Sequence, residues 1–415
     1  MAEHQKKLST ESYKGVRDFY PEDQAVQEYI FATMHEVARS FGYSEYNASI
    51  LEPSELYKNK GAENEEMVNE QTYTFTDRGD REVTLRPEMT PTVARLVAGR
   101  KRELGFPLRW YSIPNVFRYE RTQRGRLREH WQLNVDIFGA GAPYAEVEII
   151  SVACGIMRAF GASDDDFEVR IGSRTALDRK FEEWGLDEAQ RKAMRNLIDR
   201  RAKISVEEYE TGLKEIAGHP VTLDNSEPED VSRVRQLLAE LGITNTVYDP
   251  SIIRGFDYYT GIVFELFDTS PENNRALLGG GRYDNLLSMF GEEALPTVGF
   301  GMGDVTIRDF LETRGRLPAY RSPATVYLAT VLPEMIPFAM SLGDELRRMN
   351  IGCEVNVVDR KLADQIKTAD KHKVPFLIVI GEDEASSGNF KVRNLATGAE
   401  TPVAHSSLRS FFFNS

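Results

Sequence analysis

Cysteine is scarce in this sequence, which has only Cys154 and Cys353 among its 415 residues. The two cysteines lie in apolar runs of different predicted domains and lack the spacing of metal ligands, so we interpret both as buried thiols. No dedicated metal site is predicted from these or from any other residues.

Long apolar runs are also absent. No run approaches the roughly 20 residues that a helix needs to cross a bilayer. The polar N-terminal stretch MAEHQKKLSTESYKG lacks the apolar centre of a signal peptide. With 41% hydrophobic and 28% charged residues, the composition is that of a soluble globular protein. We therefore expect a cytoplasmic protein that does not bind membranes.

An excess of basic residues is missing as well, since the formal net charge is −14. This charge argues against a nonspecific DNA-binding protein, so DNA is not an expected partner. A nucleic acid can still be bound through a local basic surface.

One stretch is strongly cationic despite the acidic total. Residues 117–139, FRYERTQRGRLREHWQLNVDIFG, carry five arginines within eleven positions, at 118, 121, 124, 126 and 128. Because guanidinium groups bind phosphate oxygens bidentately, arginines on a strand and its turn suit a polyphosphate. Glu120 shares a face of the predicted strand 116–120 with Arg118, where it can accept a hydrogen bond from the exocyclic amine of a base.

The strand that follows has one polar and one apolar face. In the predicted strand 132–137, Gln132, Asn134 and Asp136 point one way, while leucine, valine and isoleucine point the other. The alternative interpretation of the whole stretch is a charged hairpin exposed to water. That alternative gives no reason for three polar side chains on one face, so the pattern favours a binding site.

The elements predict a chain of several domains and of α+β class. At 415 residues the chain exceeds what one core usually organises. A helix is predicted between Pro21 and Gly42, but the strand-like runs after it lack regular βαβ alternation, which favours an antiparallel sheet flanked by helices. The predicted parts are a first part of the core at 1–177, a helical insertion at 178–242, a second part of the core at 243–312, a linker at 313–323 and a small α/β domain at 324–415.

The arginine-rich stretch resembles the second signature motif of class II aminoacyl-tRNA synthetases, and specifically that of the histidyl-tRNA synthetase family. Four further stretches agree in order and spacing: KGVRDFYPED (14–23), TLRPEMT (84–90), RGFDYYTGIVFE (254–265) and ALLGGGRYDNLL (276–287). Beyond the linker, CEVNVVDRKLADQIKTADKHKVPFLIVIGEDE resembles the anticodon-binding domain of that family. The resemblance therefore covers nearly the whole chain.

The resemblance implies a class II synthetase fold and an ATP-dependent histidine–tRNA ligase. Such an enzyme joins L-histidine to ATP as histidyl-adenylate, releases pyrophosphate and transfers histidine to the 3′ end of tRNA(His). The implied partners are ATP, with Mg²⁺ accompanying it, L-histidine, tRNA(His) and a second copy of the chain in a homodimer.

The resemblance also implies how the amino acid is bound. Glu88 and Thr90 would meet the α-amino group, while Asp136 and Tyr259 would pair with the two ring nitrogens of the imidazole. The implied histidine-binding residues are Glu88, Thr90, Arg118, Gln132, Asp136, Arg254, Tyr258, Tyr259 and Tyr283.

For ATP, the implied catalytic residues are Arg118 and Arg254, on opposite sides of the α-phosphate. Arg254 would take a place that other members of the class leave to a metal ion. The resemblance further implies that Glu120 reads the adenine amine and that Arg126 reaches the outer phosphates. His130 or Trp131 would stack on the adenine, with packing as the alternative for Trp131.

The sequence departs from the pattern at the first and third signatures. Ser49 stands where the first signature usually has proline. The third signature usually ends in Glu-Arg, and its arginine grips the γ-phosphate, but Val305 and Thr306 occupy those places. Arg308 is two residues further, about 200° around a helix, so we expect it to face elsewhere. Either Arg124 or Arg126 would then supply the cation, or ATP would be bound less tightly.

Two other functions remain open at this point. The first is a catalytically inactive, synthetase-like regulatory subunit of ATP phosphoribosyltransferase that binds histidine. Such subunits usually lack the anticodon-binding domain and have a degraded RGFDYY segment, whereas this sequence keeps both. The second is a sensor of uncharged tRNA, a module that usually lies in a longer chain with a kinase domain.

Overall fold

The structure is a computed structural model, and it describes residues 8–58, 71–201, 204–223, 226–253, 258–273 and 275–413. The chain divides into two compact units, with the boundary between Pro318 and Ala319. In the described part of the chain, no helix is both long enough and apolar enough to cross a membrane.

The first unit is built on a large sheet and a small one. The strands of the large sheet are β1 (Ser44–Glu45), β5 (Leu108–Ser112), β6 (Asn115–Phe117), β7 (Glu129–Phe138), β8 (Phe167–Ser173), β9 (Thr246–Tyr248), β10 (Ile262–Asp268), β11 (Ala276–Arg282) and β12 (Thr297–Gly303). The small sheet has the order β2 (Leu51–Pro53), β4 (Glu82–Leu85), β3 (Tyr73–Thr76).

The large sheet is almost entirely antiparallel. Its order is β1-β5-β7-β12-β11-β10-β8-β9, and β6 pairs with β7 beyond the end of β5. Only the two outer pairs, β1 with β5 and β8 with β9, are parallel. The predicted α+β class with an antiparallel sheet is therefore confirmed.

Helices surround this sheet. They are α1 (Pro21–Ser40), α2 (Glu55–Lys58), α3 (Thr90–Arg100), α4 (Tyr144–Ala159), α5 (Arg174–Glu183), α6 (Glu188–Asp199), α7 (Val206–Ala217), α8 (Glu229–Glu240) and α9 (Asp304–Thr313), with a short 3₁₀ helix at Leu286–Phe290. The helix predicted from Pro21 is α1. Its buried residues Val26, Ile30, Met34 and Ala38 recur every four positions, so they form one stripe against the core of the sheet.

The segment predicted as a helical insertion contributes to two different cores. Helices α5, α6 and α7 share a cluster of their own, which includes Phe181, Met194 and Leu213. Helix α8 instead places Val231 and Leu238 in the core of the large sheet. An apolar stripe predicts that a helix is packed, but it does not identify the core on which the helix packs.

The arginine-rich hairpin is less regular than predicted. Strand β6 ends at Phe117, so Arg118 and Glu120 lie in the loop after it, whereas the sequence predicted a strand as far as 120. Strand β7 is longer than the predicted 132–137, and its odd-numbered core residues Leu133, Val135 and Ile137 are fully buried or nearly so. The loop needs Gly125 at its turn, where φ is +74°.

The second unit is a small α/β domain with a mixed sheet. Its strands, in sheet order, are β14 (Cys353–Val355), β13 (Val326–Thr330), β15 (Phe376–Ile380), β16 (Asn389–Asn394) and β17 (Glu400–Ala404), the first three being parallel. Its helices are α10 (Ile336–Arg348), α11 (Leu362–Lys371), α12 (Glu382–Ser387) and α13 (Leu408–Phe413), with 3₁₀ turns at Pro333–Met335 and His405–Ser407. Cys154 of the first unit is buried as expected, whereas Cys353 is only partly buried.

A buried carboxylate fixes the position of β7 in the first unit. The side chain of Asp304 is 1% exposed, at the start of α9. It accepts hydrogen bonds from Arg17 Nη2 at 2.6 Å, Gln27 Nε2 at 2.9 Å and the backbone N–H of Trp131 at 2.9 Å. One side chain therefore joins the loop before α1, α1 itself, β7 and α9.

We expect Asp304→Ala to lower the free energy of unfolding by about 3 kcal/mol, because it leaves a partly buried guanidinium and a buried amide without their acceptor. Asp304→Asn keeps an acceptor oxygen and should lose less. Urea denaturation of the full chain measures both variants, and an alanine variant as stable as the wild type would contradict the role given to this carboxylate.

Candidate active site

One cavity collects the polar side chains of β7. It has an empty volume of about 480 Å³, and the residues that line it are Glu88, Thr90, Arg118, Gln132, Asn134, Asp136, Tyr258, Tyr259, Gly279, Tyr283, Gly299, Phe300 and Gly301. Eight of the nine implied histidine-binding residues are among them. The ninth, Arg254, lies outside the described residues.

Glycines in β12 make room for the polar face of β7. Gly299 is paired with Asp136 in the sheet, and a methyl group on Gly299 would lie 2.2 Å from Asp136 Oδ1. A methyl group on Gly301 would lie 2.7 Å from Gln132 Nε2. The sequence GFGMG at 299–303 is the signal that would have revealed this requirement, and we did not predict it.

Asp136 is the buried acceptor of the cavity. The hydroxyl of Tyr283 donates a hydrogen bond to its Oδ1. Its Oδ2 has no hydrogen-bond partner within the described ranges. Burial raises the pKa of this carboxyl to about 7, although the bond from Tyr283 favours the ionised form. The free oxygen is therefore placed to accept from an N–H donor inside the cavity.

Three tyrosines form an aromatic wall beside this acceptor. The ring centroids of Tyr258 and Tyr259 are 4.8 Å apart, and those of Tyr258 and Tyr283 are 5.7 Å apart. The hydroxyl of Tyr258 also donates to Glu88 Oε2 at 3.4 Å. Flat aromatic side chains next to a buried carboxylate suit a flat ring that carries N–H donors.

Arg118 orients toward the same cavity from the loop after β6. Its Nε donates to the backbone carbonyl of Pro87 at 2.8 Å, which fixes the guanidinium beside Glu88 and Thr90. In the same loop Arg126 Nη1 lies 3.1 Å from Glu120 Oε2, and the Glu120 side chain is only 9% exposed. The residues implied for adenine and for the outer phosphates are therefore in contact with each other.

His130 and Trp131, the two residues suggested for stacking on adenine, have different surroundings in β7. Burial and the charge of Arg118 lower the pKa of His130 to about 3, so its ring is neutral near pH 7. Trp131 points to the opposite side of β7, where its ring lies 5.5 Å from Phe19 and 6.4 Å from Phe31. For Trp131 the packing alternative is therefore the correct one.

The third signature presents no cation of its own. Thr306 Oγ1 lies 3.1 Å from the carbonyl oxygens of both Leu277 and Gly303. Arg308 Nη2 lies 2.5 Å from Asp23 Oδ1 in α1. Arg308 therefore points away from the side of α9 that carries Thr306, as its helical position predicts. In the described part of the chain, no group of three or more His, Cys, Asp or Glu side chains could hold a metal ion.

Known proteins share both the sequence and the fold. The sequence model of the family described as Histidyl-tRNA synthetase matches residues 15–304, and the model described as Anticodon binding domain matches residues 325–413. The chain belongs to the histidyl-tRNA synthetase family. The resemblance inferred from the motifs is thereby confirmed.

Individual relatives of this synthetase family agree over their full length. The chain is 41% identical to the histidine–tRNA ligase of Leptospira biflexa over 95% of both chains. It is 38% identical to that of Thermoplasma volcanium over 97% of this chain and 98% of the relative. The crystal structure of histidyl-tRNA synthetase from Nostoc sp. PCC 7120 superimposes with a TM-score of 0.82 at 23% identity, covering 98% of this chain and 100% of that one, which shows the shared synthetase fold.

The raised pKa of Asp136 predicts a pH dependence of stability. Its folded value of about 7 exceeds the ordinary value of 3.8, so ionisation costs the folded synthetase more than the unfolded chain. Relative to Asp136→Asn, the wild type should therefore lose stability on the order of 4 kcal/mol as the pH rises from 4 to 8. Denaturant unfolding of both proteins across this range measures the difference, and parallel pH profiles would contradict it.

Proposed function

We propose that this chain activates L-histidine with ATP to form histidyl-adenylate, and then transfers histidine to the 3′ end of tRNA(His). The main structural support for the proposal is that the buried carboxylate of Asp136, three tyrosines and Arg118 line the same cavity. The full-length similarity to histidine–tRNA ligases supports the same activity.

Recognition of histidine follows from the acceptor and the donor in the cavity. A neutral imidazole has one N–H donor and one acceptor nitrogen. We assign the donor to Asp136 Oδ2 and the acceptor nitrogen to the hydroxyl of Tyr259. An amino acid without these groups leaves buried polar atoms unpaired, and discrimination of about 10⁴- to 10⁵-fold is typical of such sites.

The α-amino group would lie at the other end of the cavity. Glu88 is 3% exposed and supplies a carboxylate there, with Thr90 and Gln132 beside it. A buried carboxylate facing an ammonium group is compensated by charge, so this contact orients the substrate as well as binding it. The substrate carboxylate then points toward Arg118.

In the first step an oxygen of the histidine carboxylate attacks the α-phosphorus of ATP, and the bond from that phosphorus to the bridging oxygen breaks as pyrophosphate leaves. Arg118 holds the reacting carboxylate and the α-phosphate, and we assign Arg254 to the opposite side of the phosphorus. Such a reaction is accelerated mainly by positioning and by cations that stabilise the developing charge. Glu120 would read the adenine amine, His130 would line the adenine site, and Arg126 would bind the outer phosphates.

In the second step the terminal ribose hydroxyl of the tRNA attacks the carbonyl carbon of the adenylate, and AMP leaves. The second unit, similar to anticodon-binding domains over residues 325–413, would bind the anticodon. Mg²⁺ would enter with the phosphates of ATP, since it prefers phosphate oxygens and water as ligands. The location would be the cytosol, where tRNA is used.

We also propose that the chain acts as a homodimer. Leu51 and Phe75 lie on the same face of the small sheet and are 38% and 46% exposed. Large apolar side chains grouped on one face of a sheet are common in subunit interfaces. Leu51 belongs to the segment 46–57, YNASILEPSELY, which carries the first signature and which the resemblance assigns to dimer contacts.

Exchange of labelled pyrophosphate into ATP tests the first step. We expect exchange that requires L-histidine and stays at background with the other amino acids, and charging of tRNA(His) when tRNA is added. Asp136→Ala should abolish histidine-dependent exchange. Gly99→Ala should leave it unchanged, because the added methyl group would lie in open space on the surface of α3.

Wild-type protein that binds histidine but leaves exchange at background would overturn the proposal. That outcome would favour the alternative of a catalytically inactive regulatory subunit of ATP phosphoribosyltransferase. Exchange without charging would instead restrict the failure to the second step.

A further inference from the structure

A second cavity is lined by β11 at Leu277, two residues before Gly279 of the first cavity. It has an empty volume of about 270 Å³, and its lining includes Arg124, Gly125, Arg275, Leu277 and Thr306. It thus lies at the turn of the arginine-rich hairpin, where the hairpin meets the start of β11 and the first turn of α9.

Arg275 occupies the space next to Thr306. A methyl group on Gly125 would lie 2.8 Å from Cδ of Arg275 and 3.6 Å from Cγ2 of Thr306, so both side chains face the same turn. The strand that Arg275 precedes is bound to α9 at this point, since Thr306 Oγ1 is 3.1 Å from the carbonyl oxygen of Leu277. A guanidinium from residue 275 therefore reaches the region that a long side chain from residue 306 would occupy.

The charge of Arg275 is not neutralised by a direct contact. Within the described residues, no hydrogen bond or ion pair joins its guanidinium to another group, although the residue is only partly exposed. Burial lowers the pKa of Arg275 first, the charge of Arg126 lowers it further, and Glu120 partly offsets both. Glu120 already contacts Arg126 at 3.1 Å. Two guanidiniums thus share one carboxylate, which leaves a net positive charge beside the cavity.

Arg124 differs in this respect, although it lines the same cavity. Its Nη2 lies 3.3 Å from Asn273 Oδ1 and 3.2 Å from Thr313 Oγ1, and its Nε lies 4.0 Å from Asp309. Arg124 is therefore attached to the end of α9 and offsets the charge of Asp309. The other lining carboxylate, Glu272, is exposed at the rim of the cavity.

We propose that Arg275 binds the outer phosphates of ATP, in place of the cation that is missing at Thr306. The proposal rests on the proposed function, because it takes ATP as the substrate and Arg126 as a neighbouring phosphate ligand. Two adjacent guanidiniums suit a doubly charged terminal phosphate, which each of them can bind bidentately. Arg275 immediately precedes β11, whereas the arginine of the third signature would lie in α9. The sequence of the third signature alone therefore does not identify Arg275.

The experiment compares ATP with AMP, because AMP lacks the outer phosphates. Titration calorimetry without histidine gives both affinities. Arg275→Ala should weaken ATP binding about 10- to 100-fold, the usual effect of losing one hydrogen-bonded charge contact, and leave AMP binding unchanged. Arg275→Lys keeps the charge but loses the bidentate geometry, so its effect on ATP should be intermediate.

A second substitution separates a lost contact from a damaged fold. Adding Thr306→Arg to Arg275→Ala restores a guanidinium from the helix side and should recover most of the ATP affinity. Arg233→Ala is the matched control, since it removes the same charge from the exposed face of α8 and should change neither affinity.

Arg275→Ala that binds ATP as tightly as the wild type would overturn the proposal, and so would an equal loss for ATP and AMP. These outcomes are independent of histidine-dependent pyrophosphate exchange by the wild type. If the wild type shows only background exchange but Arg275→Ala selectively loses ATP affinity, the proposed function is wrong and the role of Arg275 as a phosphate ligand is supported. If exchange is normal but Arg275→Ala shows no selective loss of ATP affinity, the proposed function is supported and the role of Arg275 is wrong.

Discussion

The close approach of β7 and β12 is the constraint on which the site depends. The polar side chains at alternate positions of β7 point into the first cavity. They fit there only because the neighbouring strand β12 has glycine, and so no side chain, at positions 299 and 301. The apolar side chains of β7 on the other face are buried in the main core, so the strand cannot slip by one residue without exchanging its two faces. The register of the sheet therefore fixes the position of the acceptor Asp136.

Electrostatic complementarity follows from the same arrangement. An unpaired oxygen on a buried carboxylate is unfavourable until a donor binds to it, and this makes binding sensitive to the donors of the ligand. On the nucleotide side the excess is of the opposite sign, since Arg126 and Arg275 share the carboxylate of Glu120, and Arg118 lies in the same loop as Arg126. A protein with a net charge of −14 thus keeps a local cationic surface where phosphates would lie.

Much of the fold follows from local patterns in the sequence. The helix predicted between Pro21 and Gly42 is α1, and the two-residue alternation of β7 separated the residues of the core from those of the cavity. The same patterns did not predict that β6 ends at Phe117, because the residues after it are held by contacts with distant segments, such as Arg118 with Pro87. They also did not show that α8 packs on the large sheet, since its stripe fits either core.

For the candidate site, the motif resemblance named the residues of the first cavity, and the structure brings the described ones together. Roles that depend on three-dimensional neighbours were harder to predict. Trp131 belongs to the same strand as Asp136, but its odd position directs it into packing with Phe19. Arg275 has no local pattern that distinguishes it, and it meets the third signature only because β11 pairs with β12.

The central claim is that the cavity around Asp136 reads an imidazole while arginines surround the phosphates. A crystal structure with L-histidine and an ATP analogue that cannot release pyrophosphate tests it most directly. The account predicts an imidazole nitrogen about 3 Å from the Asp136 carboxylate, with Arg118 and Arg254 on opposite sides of the α-phosphate. Histidine bound with its ring outside this cavity would contradict the account.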